Sequence, residues 1–195
     1  HERLVGSEMC IRDSMKTVKL FEEFILEKTG DSYDYGCAML YFDFPQIKDI
    51  HAKIAEEDLY TEEGDRTYGI EDEPHCTLLY GLHKEVTPEM IQEIVKDFKF
   101  EACEAHNASL FENQYDVLKF DIKGSNLHEC NEALAELPHT NTFPDYHPHM
   151  TIAYIKKGLG EKYTKMLEDS AYDLQPTRII YSTPEGDKIT MPINK

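Results

Sequence analysis

Alternating apolar and polar residues predict β-strands along much of the chain. In residues 35–43 the even positions are small or apolar and the odd positions more polar, so the even face should be buried and the odd face should line a wet cleft. In residues 115–123 the apolar positions 118, 120 and 122 predict the buried face and place Lys119 on the other. Similar runs predict strands at 74–80, 100–111, 149–155, 172–182 and 188–193.

Apolar residues spaced three and four apart predict helices between these strands. The predicted helices span 16–29, 45–56, 87–98, 126–137 and 158–169. Thr87 and Ser125 are the expected N-caps of two of them. From residue 35 onward the elements fall into two blocks of similar length. This order predicts an α+β fold with two pseudo-symmetric lobes, whose antiparallel sheets face a central cleft and whose helices lie outside.

A heptapeptide that occurs twice supports the idea of two related lobes. Residues 74–80 are PHCTLLY and residues 148–154 are PHMTIAY, so both copies contain P-H-x-T, two apolar residues and Tyr. Because side chains alternate along a strand, the His and Thr of each copy should share one face, with both tyrosines on the opposite, packed face. One cleft should therefore hold the following side chains: His75, Thr77, His149 and Thr151.

Two imidazoles and two hydroxyl groups in one cleft are suited to phosphodiester cleavage. A neutral His can accept a proton from the attacking water or hydroxyl, and a protonated His can donate one to the leaving oxygen. The Thr hydroxyls can donate hydrogen bonds to the non-bridging phosphate oxygens. A core role is the usual one for a single His in an apolar strand, and a metal site at His147-x-His149 is a further alternative. The repeated pattern favours catalysis.

The two H-x-T motifs, on strands of a duplicated α+β chain, resemble those of the 2H phosphoesterase (LigT-like) superfamily. The resemblance covers residues 32–195 in element order and rests on the motifs and the apolar residues after them. It implies metal-independent phosphodiesterase activity without a cofactor, with the His and Thr of both motifs as catalytic residues. The prolines that precede the histidines depart from the apolar β-formers often found there, although a strand start tolerates proline.

The superfamily resemblance leaves several substrate classes open, and the charge of the chain helps to choose among them. A formal net charge of −18 disfavours long nucleic acid and anionic membrane, because phosphate-backbone binding depends on Lys and Arg. The apolar runs are too short to span a bilayer. We therefore expect a cyclic or short oligonucleotide substrate, such as the immune signal that phage anti-CBASS enzymes degrade. The alternatives are an RNA 2′,3′-cyclic phosphodiesterase, a 2′-5′ RNA ligase-like RNA-end processing enzyme, and a non-catalytic nucleotide-binding sponge.

Four residues are candidates for binding the substrate. Tyr35 and Tyr41 lie on the predicted cleft face of the first strand, and Phe111 lies near the predicted hairpin of strands 100–111 and 115–123. Aromatic rings at these positions could stack on bases. Lys119 could add a local positive charge in an acidic protein.

The polar, acidic segment 57–73 is long for a connection inside one domain. Two interpretations are open: a lid or rim beside the first motif, or a solvated loop. As a lid, it would close over the substrate with Tyr60, Arg66 and Tyr68.

The first 14 residues contain the sequence EMCIRDS, which resembles the translation of a transposon-type sequencing adapter. We expect residues 1–14 to be an assembly or cloning scar and residues 15–195 to form a single domain. The adapter-like sequence also suggests that the gene was read from metagenomic or viral DNA. The remaining cysteines fit neither a C-x-x-C motif nor a disulfide framework, which predicts buried, reduced thiols and a cytoplasmic protein. These cysteines are Cys37, Cys76, Cys103 and Cys130.

Overall fold

The order of strands and helices from residue 35 onward is the one that the sequence predicts. A computed structural model describes residues 33–65, 68–124, 126–141, 143 and 145–194. The helix predicted at 16–29, the segment 1–14 and the Ser125 cap lie outside these residues. The elements are β1 (Gly36–Asp43), α1 (Ile47–His51), β2 (His75–Leu82), α2 (Pro88–Val95), β3 (Cys103–Glu112), β4 (Tyr115–Lys123), α3 (Leu127–Leu134), β5 (His149–Lys156), α4 (Glu161–Met166), β6 (Tyr172–Ser182) and β7 (Lys188–Met191).

Helix α1 ends earlier and helix α4 begins later than predicted, and tertiary hydrogen bonds hold the residues next to both of these ends. The Ala55 N–H donates to the Tyr163 hydroxyl (3.0 Å), and a separate 3₁₀ turn follows at Glu56–Asp58. Ahead of α4, the carboxylate of Asp116 accepts the backbone N–H groups of Gly158 (2.9 Å) and Gly160 (3.0 Å). These bonds fix residues 158–160 as a turn, and the helix begins only at Glu161.

The strands form an antiparallel sheet in the order β2-β1-β6-β3-β4-β5, with β7 paired to β6. Strand β6 joins the two halves, because residues 175–182 pair with β1 and residues 172–174 pair with β3. The two motif strands, β2 and β5, are the outer strands of this order, and Cα atoms of the two come within 8 Å of each other. The predicted α+β fold with two halves that face a cleft is confirmed. No described helix is long and apolar enough to cross a membrane.

The predicted core faces of β1 and β4 are also confirmed, but the prediction that the odd face of β1 lines a wet cleft is wrong. Leu40 and Phe42 of β1 and Phe120 of β4 belong to the large apolar core behind the sheet. On the cleft side, Met39 and Tyr41 form a smaller cluster of their own. The cleft face of β1 is therefore buried by aromatic and sulfur-containing side chains rather than open to water. The predicted burial of the cysteine thiols is confirmed for Cys37, Cys76 and Cys103, and Cys130 is buried as well.

Each motif strand contains a β-bulge at the two apolar residues that follow H-x-T. In β2, Met39 pairs with Thr77 and Ala38 pairs with Leu79, so that Leu78 has no partner in the register. In β5 the pairing of β4 with β5 skips Ile152 in the same way. An extra residue of this kind reverses the alternation of the side chains beyond it.

The bulges contradict the prediction that both motif tyrosines lie on the packed face behind the sheet. Tyr80 packs with Met39 and Tyr41, on the same face as the motif histidine and threonine. Tyr154 packs with Tyr68 and Tyr115 on the cleft side of the other half. Strict alternation from His75 or His149 gives the wrong face because it assumes an unbroken strand register.

Segment 59–71 covers the outer edge of β5. The Tyr60 N–H donates to the Tyr154 carbonyl (2.9 Å), the Tyr154 N–H donates to the Gly69 carbonyl (2.7 Å) and the Glu71 N–H donates to the Ile152 carbonyl (2.9 Å). Tyr68 is buried against Tyr154. Of the two interpretations of the acidic segment, the structure supports a fixed rim beside the cleft. Arg66 lies outside the described residues.

Segment 138–140 and the Tyr146 side chain cover the outer edge of β2. The Thr140 N–H donates to the Gly81 carbonyl (2.9 Å), and the His83 N–H donates to the Pro138 carbonyl (3.0 Å). The Tyr146 hydroxyl donates to the Thr77 carbonyl (2.9 Å). Both motif strands are thus protected from pairing with another chain, and both are fixed from two sides.

The close approach at Gly81 gives a testable prediction of stability. Gly81 has φ +102°, and a Cβ there would clash with the Thr140 carbonyl oxygen. Gly158 also has a positive φ (+84°) but has open space around it. Both Gly→Ala changes carry left-handed strain of about 1–2 kcal/mol, and Gly81→Ala adds the clash. In urea unfolding, Gly81→Ala should therefore lose more free energy of unfolding than Gly158→Ala, and equal losses would contradict this.

Candidate active site

Each motif histidine is held by a hydrogen bond to the carbonyl two residues before it. His75 Nδ1 lies 2.8 Å from the Glu73 carbonyl oxygen, and His149 Nδ1 lies 2.9 Å from the His147 carbonyl oxygen. A carbonyl can only accept, so each Nδ1 carries the hydrogen and leaves Nε2 as the acceptor atom of the neutral ring. Both rings are buried, at 7% and 6% exposure. The two imidazoles therefore have the same orientation relative to their strands and the same tautomer.

The prolines before the histidines fix the start of each motif strand. The Pro74 carbonyl accepts the Phe42 N–H of β1 (3.0 Å), and the Pro148 carbonyl accepts the Ile122 N–H of β4 (2.9 Å). Because proline has a restricted φ and no N–H to pair, it suits the first position of an edge strand. The local geometry of the two motifs is thus repeated down to the bonds with the neighbouring strand.

The two motif threonines lie on the same face as the histidines. Thr77 is half-buried and pairs across the sheet with Met39, whereas Thr151 is 4% exposed and pairs with Lys119. The two motif strands approach each other, and Thr77 and His149 line one cavity. That all four predicted catalytic side chains share one cleft stays a prediction.

In the first half of the sheet, an aromatic ring and a cation accompany the motif histidine. The Tyr41 ring stacks on His75 with 5.1 Å between centroids and 23° between planes. The Arg178 guanidinium lies 4.7 Å from the Tyr41 ring centroid and pairs with the Glu73 carboxylate at 3.8 Å. Arg178 was not predicted from the sequence. The signal that could have identified it is a single arginine among the strand-forming residues 177–181.

The second half has a related arrangement. The Phe111 ring meets His149 edge-on with 4.9 Å between centroids, and Lys119 Nζ lies 4.7 Å from the Phe111 centroid. Lys119 also donates to Ser109 Oγ (2.8 Å) and forms an ion pair with Asp121. Burial acts to raise the pKa of Asp121, but hydrogen bonds, above all from Lys119, outweigh it and hold that pKa below its ordinary value. Each motif histidine thus has an aromatic ring and a cation beside it.

The predicted substrate-binding residues therefore lie at the site, but in different environments. Tyr41 and Phe111 are buried against the histidines, at 1% and 5% exposure, and Lys119 is buried at 7%. Tyr35 is half-buried beside Tyr80, at 5.9 Å between ring centroids. Tyr41 and Phe111 pack against the imidazoles, whereas Lys119 contacts the Phe111 ring. Direct contact of any of the four with a base stays a prediction.

A cavity of about 130 Å³ opens beside Thr77 and His149, between β2, α3 and the loop before β5. Its wall includes aromatic and polar side chains, among them Tyr80, Asn131, His139, Asn141, Phe143 and Asp145. Apart from His147, the loop 139–147 was not predicted to contribute to the site. The density of His, Asn, Asp and aromatic residues in that loop was the signal that could have identified it.

No group of three or more His, Cys, Asp or Glu side chains in the described part of the chain has the arrangement of a metal site. His147, which was considered with His149 as a metal ligand pair, is exposed, and its carbonyl holds the His149 ring.

No protein-family model matches the chain, and no curated protein matches its sequence. Its fold does match solved structures. Usb1 of Kluyveromyces marxianus has a TM-score of 0.52 at 8% identity, over 83% of this chain and 99% of that chain. The MHV ns2 PDE domain has a TM-score of 0.48 at 14% identity (80% and 98%), and LigT of E. coli in complex with 3′-AMP has a TM-score of 0.46 at 14% identity (83% and 97%).

These structures are members of the 2H phosphoesterase superfamily. The similarity with Usb1 spans nearly all of that chain and most of this one at very low identity, so it concerns the fold. The fold that the H-x-T motifs indicate is thus confirmed: the chain has the α+β fold of the 2H phosphoesterases.

Proposed function

We propose that the protein is a metal-independent phosphodiesterase that cleaves a small nucleotide or a cyclic or short oligonucleotide by acid–base catalysis with two histidines. The observation that carries this proposal is the matched pair of Nδ1–carbonyl hydrogen bonds at His75 and His149. Each bond fixes the tautomer and leaves Nε2 for proton exchange. A Thr hydroxyl two residues further along each strand completes the repeated set.

In the proposed reaction, Nε2 of one neutral imidazole accepts a proton from the attacking water or hydroxyl. A bond forms between that oxygen and phosphorus, and the bond from phosphorus to the leaving oxygen breaks. The other imidazole, protonated, donates its Nε2 proton to the leaving oxygen. The hydroxyls of Thr77 and Thr151 donate hydrogen bonds to the non-bridging oxygens and stabilise their charge in the transition state.

The charge distribution supports a small substrate. Lys119 and Arg178 lie beside the two motif histidines, whereas the whole chain has a formal net charge of −18. Because these two cations already pair with Asp121 and Glu73, little positive charge remains to attract an extended polyanion, and the acidic protein repels one. Among small substrates we favour a cyclic oligonucleotide that acts as an immune signal. In this proposal the protein is a phage enzyme that cleaves the signal in the host cytoplasm. An RNA 2′,3′-cyclic phosphodiesterase or RNA-end processing enzyme is the second candidate.

The test is a substrate panel of cyclic di- and trinucleotides, 2′,3′-cyclic nucleotides, 2′-5′ oligoadenylates and structured RNA ends, all incubated with EDTA. The expected result is turnover of a small nucleotide that EDTA does not reduce. Preferential turnover of RNA ends would favour the second candidate. Loss of activity in EDTA would contradict the metal-free reaction, and recovery of bound but intact ligand across the panel would indicate a sponge.

Phe143 provides a test of the cavity as the place where a base binds. The cavity volume is several times the roughly 30 Å³ of one water in the liquid, and the Phe143 ring on its wall could stack on a base. Stacking of one base on an aromatic ring contributes about 1–3 kcal/mol. Phe143→Ala should therefore raise KM for the panel's best substrate about 5- to 150-fold and leave kcat within a few-fold. The matched control is Phe98→Ala, which removes a half-buried ring that packs near Phe100. Equal KM values in the two variants would contradict the assignment of the cavity as the place where a base binds.

A further inference from the structure

Glu71 is a buried carboxylate that the proposed reaction does not use. It is 5% exposed and lies in the rim segment that covers the edge of β5. Its backbone N–H donates to the Ile152 carbonyl of β5 (2.9 Å), next to the motif residue Thr151. Glu71 is therefore anchored to one motif strand and lies four residues before the histidine of the other.

Two hydrogen bonds connect the Glu71 side chain to His75. Glu71 Oε1 accepts the backbone N–H of Glu73 (3.0 Å), and the Glu73 carbonyl accepts Nδ1–H of His75 (2.8 Å). The residue whose carbonyl orients the imidazole is thus itself fixed by the Glu71 carboxylate. The Glu71 carboxylate holds the N–H of Glu73, and the carbonyl of Glu73 holds the His75 ring. The orientation of that ring therefore depends on Glu71.

The charge of Glu71 also acts on His75. Burial raises the pKa of Glu71, positive charge on His75 lowers it, and the neighbouring Asp72 and Glu73 raise it further. The carboxylate of Glu71 and a positively charged His75 therefore attract each other. Among the described residues, the charged groups on this side of His75 also include the Asp72 and Glu73 carboxylates and Arg178, which lies over Tyr41 and pairs with Glu73.

His149 has a different electrostatic environment. Its Nδ1–H is bound by the carbonyl of His147, an exposed residue. The carboxylate opposite it in the sheet, Asp121, is bound by Lys119 and Asn107. The negative charge beside His149 is thus compensated by a cation, whereas Glu71 has no salt bridge among the described residues.

We propose that Glu71 is a positioning residue that orients His75 and stabilises its imidazolium, so that His75 is the general acid and His149 the general base. This assignment rests on the proposed function. His149 Nε2 accepts the proton of the attacking water or hydroxyl, and His75 Nε2–H donates a proton to the leaving oxygen. Water exchange afterwards restores both protonation states, with no net change of charge on the enzyme.

The test uses Glu71→Gln, with Asp72→Asn as the matched control. Glutamine keeps an oxygen that can accept the Glu73 N–H but removes the charge, while Asp72 is an exposed carboxylate in the next position. The measurements are the pH profile of kcat/KM and the NMR titrations of the His75 and His149 rings. If His75 is the acid, the alkaline limb of the profile should move to lower pH in Glu71→Gln. The His75 titration should move with it, while Asp72→Asn shows a smaller change.

The possible outcomes separate this proposal from the proposed function. If the acidic limb of the kcat/KM profile moves instead in Glu71→Gln, His75 is the base. If neither limb of the profile nor the His75 titration changes, the proposed role of Glu71 is wrong. Absence of turnover in the unaltered protein would count against the proposed function. The His75 titration would still test the link between Glu71 and His75 in that case.

The same variant should be more stable than the unaltered protein at neutral pH. Because burial raises the pKa of Glu71, the folded state favours the protonated side chain, and that stability is lost as the pH rises through the pKa of the folded state. Glutamine removes the ionisation. The Tm of Glu71→Gln should therefore exceed that of the unaltered protein at pH 7, and the difference should shrink toward pH 4. A lower Tm at pH 7 would contradict a buried charge at this position.

Discussion

Replacing either His75 or His149 with alanine should lower kcat by about 10²–10⁴-fold, the usual contribution of general acid–base catalysis. Each variant removes the imidazole that its own motif provides, and the Nδ1–carbonyl bond orients each ring for proton transfer at Nε2. The measurement is single-turnover cleavage of the best substrate in the panel. Substrate affinity should change much less than kcat, since the neighbouring threonines and cations remain.

A matched control and a double variant sharpen this test. His147→Ala removes an exposed imidazole two residues before His149 but keeps the backbone carbonyl that orients it, so near-normal kcat is expected. Because two residues that act in one step are not additive, the double variant should be only slightly less active than the weaker single variant. A single His→Ala variant with full activity would contradict the assignment of the pair.

The fold and the four motif residues could be predicted from the sequence because they depend on local patterns. The alternation in β1 and β4 assigned the core faces correctly, as Leu40 and Phe120 show. The repeated P-H-x-T predicted that both motifs would present the same atoms to one cleft. Equal Nδ1–carbonyl bonds at His75 and His149 agree with that repeat.

The faces of the motif tyrosines could not be predicted in the same way. Each strand gains one residue relative to its neighbour at Leu78 or Ile152, and this register is set by pairing with a strand far away in the chain. Alternation counts positions within one strand and contains no information about such a bulge. As a result Tyr80 and Tyr154 were placed on the wrong face, although their burial was expected.

The supporting residues of the site were missed for a related reason. Arg178 reaches the site because β6 pairs with β1, and Glu71 reaches it because the rim segment bonds to the edge of β5. Neither relation follows from spacing in the sequence. Long-range pairing therefore determines the electrostatic difference between two motifs that look alike in the sequence.

Replacing Thr77 or Thr151 with valine should lower kcat by about 10²–10³-fold, the range for loss of one donor to a developing oxyanion. Valine has nearly the shape of threonine and a high β-propensity, so the strand and the buried surroundings of Thr151 should persist. If the hydroxyl acts on the transition state, kcat and kcat/KM should fall together while KM stays nearly constant.

Replacing either threonine with serine distinguishes a role of the hydroxyl in catalysis from a role of the methyl group in packing. Thr77→Ser and Thr151→Ser keep the hydroxyl and lose a methyl group, so they should retain most of the activity while Thr→Val does not. At Thr151, which is 4% exposed, the serine variant should lose stability because of the missing methyl group, whereas the half-buried Thr77 should be more tolerant. Activity that follows the thermal stability of the variants rather than the presence of the hydroxyl would contradict a role of the threonines in binding the phosphate oxygens.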